Sequence, residues 1–238
     1  HCHLLPGIDD GPDTMEQALA MARHAVASGI THSIVTPHVH PDRYDNDHHS
    51  IQSELSSYKS ALRAAQIPLQ IGMAGEVRLS AEILTLVEEN RIPFLGEWQG
   101  NKVMLLEFPH GHIPPGSDKL VEWLLKRDIL PMIAHPERNK GVMRDRRQLE
   151  PFVKLGCLFQ VTAGSVAGNF GGPAQRCAED LLAAEVVTVL ASDAHNLNSR
   201  PPELRAGVEA ASRIIGEANA QALVVDNPVK LVGSQFDD

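Results

Sequence analysis

Cysteine is scarce in this 238-residue chain: Cys2, Cys157 and Cys177 are an odd number, without close spacing. That excludes a disulfide framework and a thiolate zinc site, and makes a reducing cytoplasm the simpler expectation. None of the three is followed by arginine at the sixth position, so a phosphate loop built on a cysteine nucleophile is excluded too. Basic residues are in deficit, with 21 Lys and Arg against 30 Asp and Glu for a formal charge of −9. Nucleic-acid surfaces need the opposite balance, so no nucleic-acid partner is expected. No apolar run approaches the roughly 20 residues of a membrane helix, and no signal-peptide pattern precedes the first motif. The expectation is a protein neither inserted in a membrane nor exported. Gly171 and Gly172 make a turn without GxGxxG or GxxxxGK around it, so nucleotide fingerprints are missing as well. An initiating methionine is missing too, and the chain is expected to lack the front half of its first strand.

What is present is a repeated rhythm. A composition of 43% hydrophobic residues over this length suits one core and a single domain over 1–238. Residues 13–29 predict a helix with Asp13 as N-cap, Glu16 three positions on and Gly29 as the stop. Residues 30–38 then predict a β-branched strand ended at Pro37. Helices are expected at 48–66, 80–90, 117–127, 146–155, 173–184, 202–215 and 217–223. Strands are expected at 69–76, 102–108, 129–135, 156–165 and 186–195. These strands are continuously apolar, as parallel strands covered on both faces are. Strands alternating with helices imply an α/β fold built from βαβ units, with seven strands if one lies at the start of the chain.

Polar residues fall at the carboxyl ends of those apolar runs. His38 ends IVTPH, Glu76 ends IGMAGE, Glu107 ends VMLLE, His135 ends PMIAH, and Asp193 with His195 ends VTVLASDAH. His1 and His3 occupy the matching place at the start, followed by Asp10 in IDDGP. In a parallel barrel those ends converge on the face that carries active sites. Residues i and i+2 of a strand share a side, so HxH and DxH pairs suit one metal, with Cys2 turned the other way into packing. Imidazole and carboxylate without thiolate suit Mn, Fe or Zn in an open site. Nine candidate ligands exceed one ion, and multi-metal sites are typical of phosphoester hydrolysis, in which coordinated water is acidified to a pKa of about 7 and attacks phosphorus. Arg138 in HPER and Arg200 in NSRPP follow ligand-bearing strand ends and are the expected phosphate clamps. His40, in the polar loop VHPDRYDNDHH, is a candidate substrate contact, while His110 and His112 are expected at the rim rather than on metal.

The motifs HCHLLPGIDDGP, TPH, AGEV, LLEFP, IAHPER and ASDAHN with RPP resemble the polymerase and histidinol phosphatase (PHP) superfamily. Within it they are most similar to the bacterial metal-dependent protein-tyrosine phosphatases of capsule and exopolysaccharide clusters, the CpsB type. The resemblance implies a distorted (β/α)7 TIM-like barrel and a centre of three ions, usually Mn2+. It implies one ion on His1, His3, Glu76 and Asp193, a second on Glu76, Glu107 and His135, and a third on Asp10, His38 and His195. Asp9 is left to support the loop. It also implies that the substrate is the phosphotyrosine tail of a membrane-associated tyrosine autokinase. Two alternatives stand beside it: another PHP phosphoesterase, such as a histidinol-phosphate phosphatase, or a module that binds the tail without hydrolysing it.

Overall fold

Seven positions form a ring of parallel backbone in the computed structural model, which describes residues 1–236. Cys2 holds the first position, bridging Val35 on one side and Ala194 on the other. Helix α1 (Met15–Ala27) leads to β1 (His32–Val35) and its continuation β2 (His38–Val39). Helix α2 (His48–Ala64) leads to β3 (Gln70–Met73) and its continuation β4 (Glu76–Arg78). After α3 (Ile83–Glu88), the short β5 (Gly96–Trp98) turns back antiparallel against β6 (Asn101–Glu107). Helix α4 (Ser117–Leu125) then precedes β7 (Ile129–Ala134). Short helices α5 (Lys140–Arg144) and α6 (Glu150–Lys154) precede β8 (Leu158–Thr162), and α7 (Ala163–Val166) and α8 (Gly172–Ala183) precede β9 (Val189–Ala191). Helices α9 (Arg205–Ile215), α10 (Glu217–Ala222) and α11 (Asp226–Val232) finish the chain.

The expected alternation of strand and helix is therefore present, with local corrections. Thr14, not Asp13, caps α1 by accepting from the Gln17 amide at 3.3 Å. The strand expected over 156–165 stops at Thr162, because Ala163–Val166 turns into α7. The single helix expected over 146–155 is a 3-10 turn, Arg146–Leu149, followed by α6. Strand β5 and helices α5, α7 and α11 were not foreseen, being too short to show a period in sequence.

Strand alternation separates two apolar layers. Val35, Met104, Leu106, Ile133, Phe159 and Leu190 face outward and pack with the helices. Ile34, Val103, Leu105, Leu130, Met132 and Leu158 face inward and fill the barrel. Leu231 of α11 is buried in this inner layer and Phe236 packs against it, so the C-terminal segment plugs the barrel.

The distortion has a definite location. Strand β4 pairs with β6 at the upper end, but below it β3 and β6 do not pair. Gln235 fills that gap. Its side-chain oxygen accepts from the Met73 amide at 2.8 Å, and its Nε2 donates to the carbonyls of Met73 and Leu95 at 2.9 and 2.6 Å. One side chain thus satisfies backbone groups that a regular sheet would pair.

Close packing at the α7–α9 crossing depends on Gly207. A Cβ there would lie 2.5 Å from the Ala163 carbonyl oxygen and 2.7 Å from its Cα. Overpacking against backbone costs about 1–3 kcal/mol or more. Gly207→Ala is therefore expected to lower the calorimetric melting temperature by roughly 3–10 °C for a domain of this size.

Candidate metal centre

Alternation carries several polar side chains inward at the upper end of the ring. On β6, Val103 and Leu105 face in, and Glu107 follows them. On β4, Val77 packs outward, so Glu76 and Arg78 point in. Cys2 is buried against the outer layer, with its thiol pushed up to about 12 by burial, while His1 and His3 turn to the other side with their rings 5.5 Å apart. Two residues depart from regular backbone. His135 follows inward-facing Ala134 and by alternation would face out, but it sits at φ 30, ψ 54, and this left-handed turn brings its ring into the barrel. Asp193 has φ 50. Non-glycine residues held in that region are strained and cluster at functional sites.

The side chains so delivered form one continuous cluster. Four atoms at its centre are buried without a hydrogen-bond partner: His1 Nε2, His3 Nε2, Glu76 Oε2 and Asp193 Oδ1. His1 Nε2 and His3 Nε2 lie 3.2 and 3.4 Å from Asp193 Oδ1, and His3 Nε2 lies 3.4 Å from Glu76 Oε2. Donors about 2.1 Å from a common ion sit roughly 3.0–3.4 Å from one another in octahedral or tetrahedral geometry, so this spacing fits a divalent cation. Beside it, His38 Nε2 and His195 Nε2 each lie 3.2 Å from Asp10 Oδ1. Glu76 reaches further groups, with Oε1 2.6 Å from His135 Nε2 and Oε2 3.0 Å from His38 Nδ1.

All nine residues singled out in the sequence fall into groups whose donor atoms lie within 4.8 Å of one another. The groupings differ from those the resemblance implied, and His3 also joins Asp10, His38 and His195. Glu107 comes together with His38 and Glu76, while His135 comes together with His1 and Asp193. Arg78 accounts for the offset of Glu107, holding its Oε2 at 3.0 Å. Arg138 and Arg200 both turn their guanidinium groups onto Asp193 Oδ2, Arg200 at 2.5 Å. His40 lies farther out and half-buried, its amide donating to the Tyr44 carbonyl at 3.0 Å. Tyr44 stacks on the His38 ring at 5.5 Å, and Phe170 lies under Arg138 at 4.5 Å, so two aromatics border the mouth. His110 is open to solvent, 3.8 Å from Glu107.

Four supporting residues were not singled out for these roles, or had only a general one. Asp9 accepts from His3 Nδ1 at 2.6 Å and from the amides of Gly11 and His38, which fixes the His3 ring and the IDDGP turn together. Gln160 Oε1 lies 2.7 Å from His1 Nδ1. Such partners orient ring ligands and set their tautomer. Arg78 stands two residues after Glu76 on the same strand side, a signal that alternation alone supplies. Glu137, fully buried in HPER, accepts from the Thr162 amide at 3.0 Å and the Ser165 hydroxyl at 2.7 Å. It ties the turn carrying His135 and Arg138 to the joint where β8 becomes α7.

Electrostatics follow from this crowding. Burial by itself pushes His1 down, but the negative charges of Asp193 and Glu76 overcome it and hold the ring at about 9, above its ordinary 6.5. His38 is likewise opposed by burial and lifted to about 9 by Asp10 and Glu76. Glu76 and Asp193 are raised by burial yet end well below the usual carboxylate range, because imidazoles surround them. His195 goes the other way, lowered by burial and by His3.

Two expectations come from this wiring. Histidines raised in the folded state stabilise fully below their unfolded value and lose that contribution as pH rises through the folded one. In chelator-treated protein the melting temperature should fall between pH 6.5 and about 9, the interval set by His1 and His38. It should fall again in acid, below the ordinary Glu value of 4.5, as Glu76 and Asp193 take up protons. Added Mn2+ should reverse the alkaline loss, since imidazole binds metal only when neutral. Separately, Glu137→Ala strands the Thr162 amide and is expected to cost about 1–3 kcal/mol in denaturant unfolding. Glu137→Gln keeps an acceptor and should lose less.

Comparison with known proteins places this geometry. The family described as capsular polysaccharide synthesis, CpsB/CapC, matches residues 1–233. Tyrosine-protein phosphatase YwqE of Bacillus subtilis (strain 168) is 33% identical over 200 residues, covering 84% of this chain and 78% of that protein. Tyrosine-protein phosphatase CpsB of Streptococcus pneumoniae is 25% identical over 245 residues, 99% of this chain and 98% of that protein. A solved structure from work on YwqE of Bacillus subtilis and CpsB of Streptococcus pneumoniae, described there as unique metal-dependent tyrosine phosphatases, matches with a TM-score of 0.90 at 30% identity. That match covers 99% of this chain and 94% of the other, so the distorted barrel is shared throughout. The chain belongs to the CpsB/CapC family of capsular polysaccharide synthesis proteins.

Proposed function

We propose that this chain is a metal-dependent protein-tyrosine phosphatase acting on the phosphotyrosine tail of a membrane-associated tyrosine autokinase in capsule or exopolysaccharide synthesis. The observation that carries the reading is the arrangement around Asp193: one oxygen faces unpartnered imidazole nitrogens, and the other faces two arginines. Cation donors and phosphate donors therefore meet at one carboxylate. The relatives' names supply the substrate class. We assign three Mn2+ ions to His1, His3, Glu76 and Asp193; to Glu76, Glu107 and His135; and to Asp10, His38 and His195. Bound divalent cations supply Lewis-acid charge and acidify water toward a pKa of about 7. We place the protein in the cytoplasm, on the support of three cysteines that are all unpaired.

The chain's own residues do the positioning. Arg138 and Arg200 present planar guanidinium groups suited to clamping the equatorial phosphoryl oxygens as charge builds on them. Arg78 adds a third guanidinium at the rim, beside Glu107. Tyr44 and Phe170 border the opening with flat apolar surface for a phenyl ring. We assign His40, on the loop that also carries Tyr44, as a substrate contact. A phenol has a pKa of about 10, so its departure needs less proton assistance than an alkyl alcohol's.

Purified protein supplied with Mn2+ should release phosphate from phosphotyrosine peptides and stop when a chelator is added. His135→Ala should lower kcat/KM beyond the roughly 10- to 100-fold loss expected for a residue that only supports a metal ligand. A fully metallated chain that releases no phosphate from such peptides would overturn the reading. Preferred turnover of histidinol phosphate would move it to another PHP phosphoesterase, and tight phosphopeptide binding without release would make it a binding module.

A further inference from the structure

Beside Arg138, two walls of a second cleft begin. The Arg138 guanidinium stacks over Phe170, which precedes α8, and α5 starts two residues after Arg138. Between α5 with its following turn and α8 lies a cleft of about 430 Å3, lined in part by Arg144, Arg146, Arg147, Arg176, Asp145 and Asp180. Four arginines against two aspartates is a local excess of positive charge in a chain of net charge −9. Arg146 pairs with Asp180, and Arg147 with Asp145. Arg144 and Arg176 have no ion pair among the described residues and are exposed.

Arg176 also folds back over the first turn of α8, with Nη1 3.0 Å from where a Cβ on Gly172 would stand. A cation at the positive end of a helix is repelled there, and an anion placed between them relieves both. Guanidinium groups pair with carboxylates in a bidentate, planar fashion.

We propose that this cleft receives an acidic stretch of the phosphotyrosine-bearing polypeptide, with Arg144 and Arg176 holding its carboxylate side chains. The proposal rests on the phosphatase reading above. Helix rise of about 1.5 Å per residue puts Arg144 and Arg176 roughly 6 Å down their helices from Lys140 and Gly172, the first residues of α5 and α8. An extended peptide advances about 3.3 Å per residue, so acidic residues roughly two to three positions from the phosphotyrosine reach them. A concave cleft with Asp145 and Asp180 on its walls suits a peptide better than an anionic membrane, which is bound by denser clusters of unpaired basic residues.

The test uses the Mn2+-loaded full chain and two phosphotyrosine peptides, identical except that Asp and Glu two to three positions from the phosphotyrosine become Asn and Gln. KM for the acidic peptide should be about three- to tenfold lower, the range for two exposed charge pairs, and the difference should shrink in high salt. The double variant Arg144→Gln, Arg176→Gln should raise that KM to the neutral peptide's value and leave kcat and the neutral peptide's KM unchanged. Equal KM for both peptides in the unsubstituted chain, or no change in the variant, overturns the proposal. Should neither peptide be hydrolysed, the phosphatase reading fails by itself. Anisotropy with the unphosphorylated acidic peptide then decides the cleft: binding lost in the variant supports it, and binding equal in both overturns it. Adsorption to phosphatidylserine vesicles that the variant loses, with peptide KM unchanged, overturns it in favour of a membrane surface.

Discussion

Asp193 is a carboxylate with no solvent exposure, and much of the mouth of the barrel is arranged around its charge. An ionised carboxylate taken out of water is costly unless it is paired and hydrogen-bonded. Here His1 and His3 face one oxygen while Arg138 and Arg200 hold the other, and these four residues come from the start of the chain, the turn after β7 and the loop after β9. Glu76 repeats the situation from β4, ringed by His1, His3, His38 and His135. Neither carboxylate could stay charged if the barrel opened on that side. The same demand that binds cations therefore also closes the ring, since the His1 carbonyl accepts from the Asp193 amide and Cys2 bridges both neighbouring strands.

Stability and function are separated along the barrel axis. The lower end is apolar, filled by inward-facing aliphatics and by Leu231, with Gln235 repairing the pairing that β3 and β6 do not make. The upper end gives up apolar packing for charge and pays in strained backbone at His135 and Asp193. Rigid strands below hold the polar side chains above to fixed separations, and Asp9, Gln160 and Glu137 lock the side chains or turns that the strands leave free.

Much of this was legible because parallel strands buried on both faces leave a plain record: an apolar run that ends in a single polar residue. His38, Glu76, Glu107 and the SDAH pair could be read in that way, and so could the opposite facing of Cys2 and its two neighbours. The supporting residues left no such record. Gln160 sits inside an ordinary apolar run, FQVT, and Glu137 looks like any charged residue after a proline. Their roles come from partners 159 and 25 positions away. The end of β8 at Thr162 was misread for the same reason, because the residue that receives its amide lies on another strand's turn.

Local periodicity thus determined the order of strands and helices, the polar residues that end the apolar runs and the outward turn of Cys2. Those features depend on residue spacing along a strand, which the chain carries in itself. Only the tertiary structure decided that His135 turns in through a left-handed backbone, that Arg78 draws Glu107 toward His38, and that Arg138 and Arg200 meet on Asp193. Those outcomes are set by which charges become neighbours when distant segments close the ring, and no spacing within a segment encodes them.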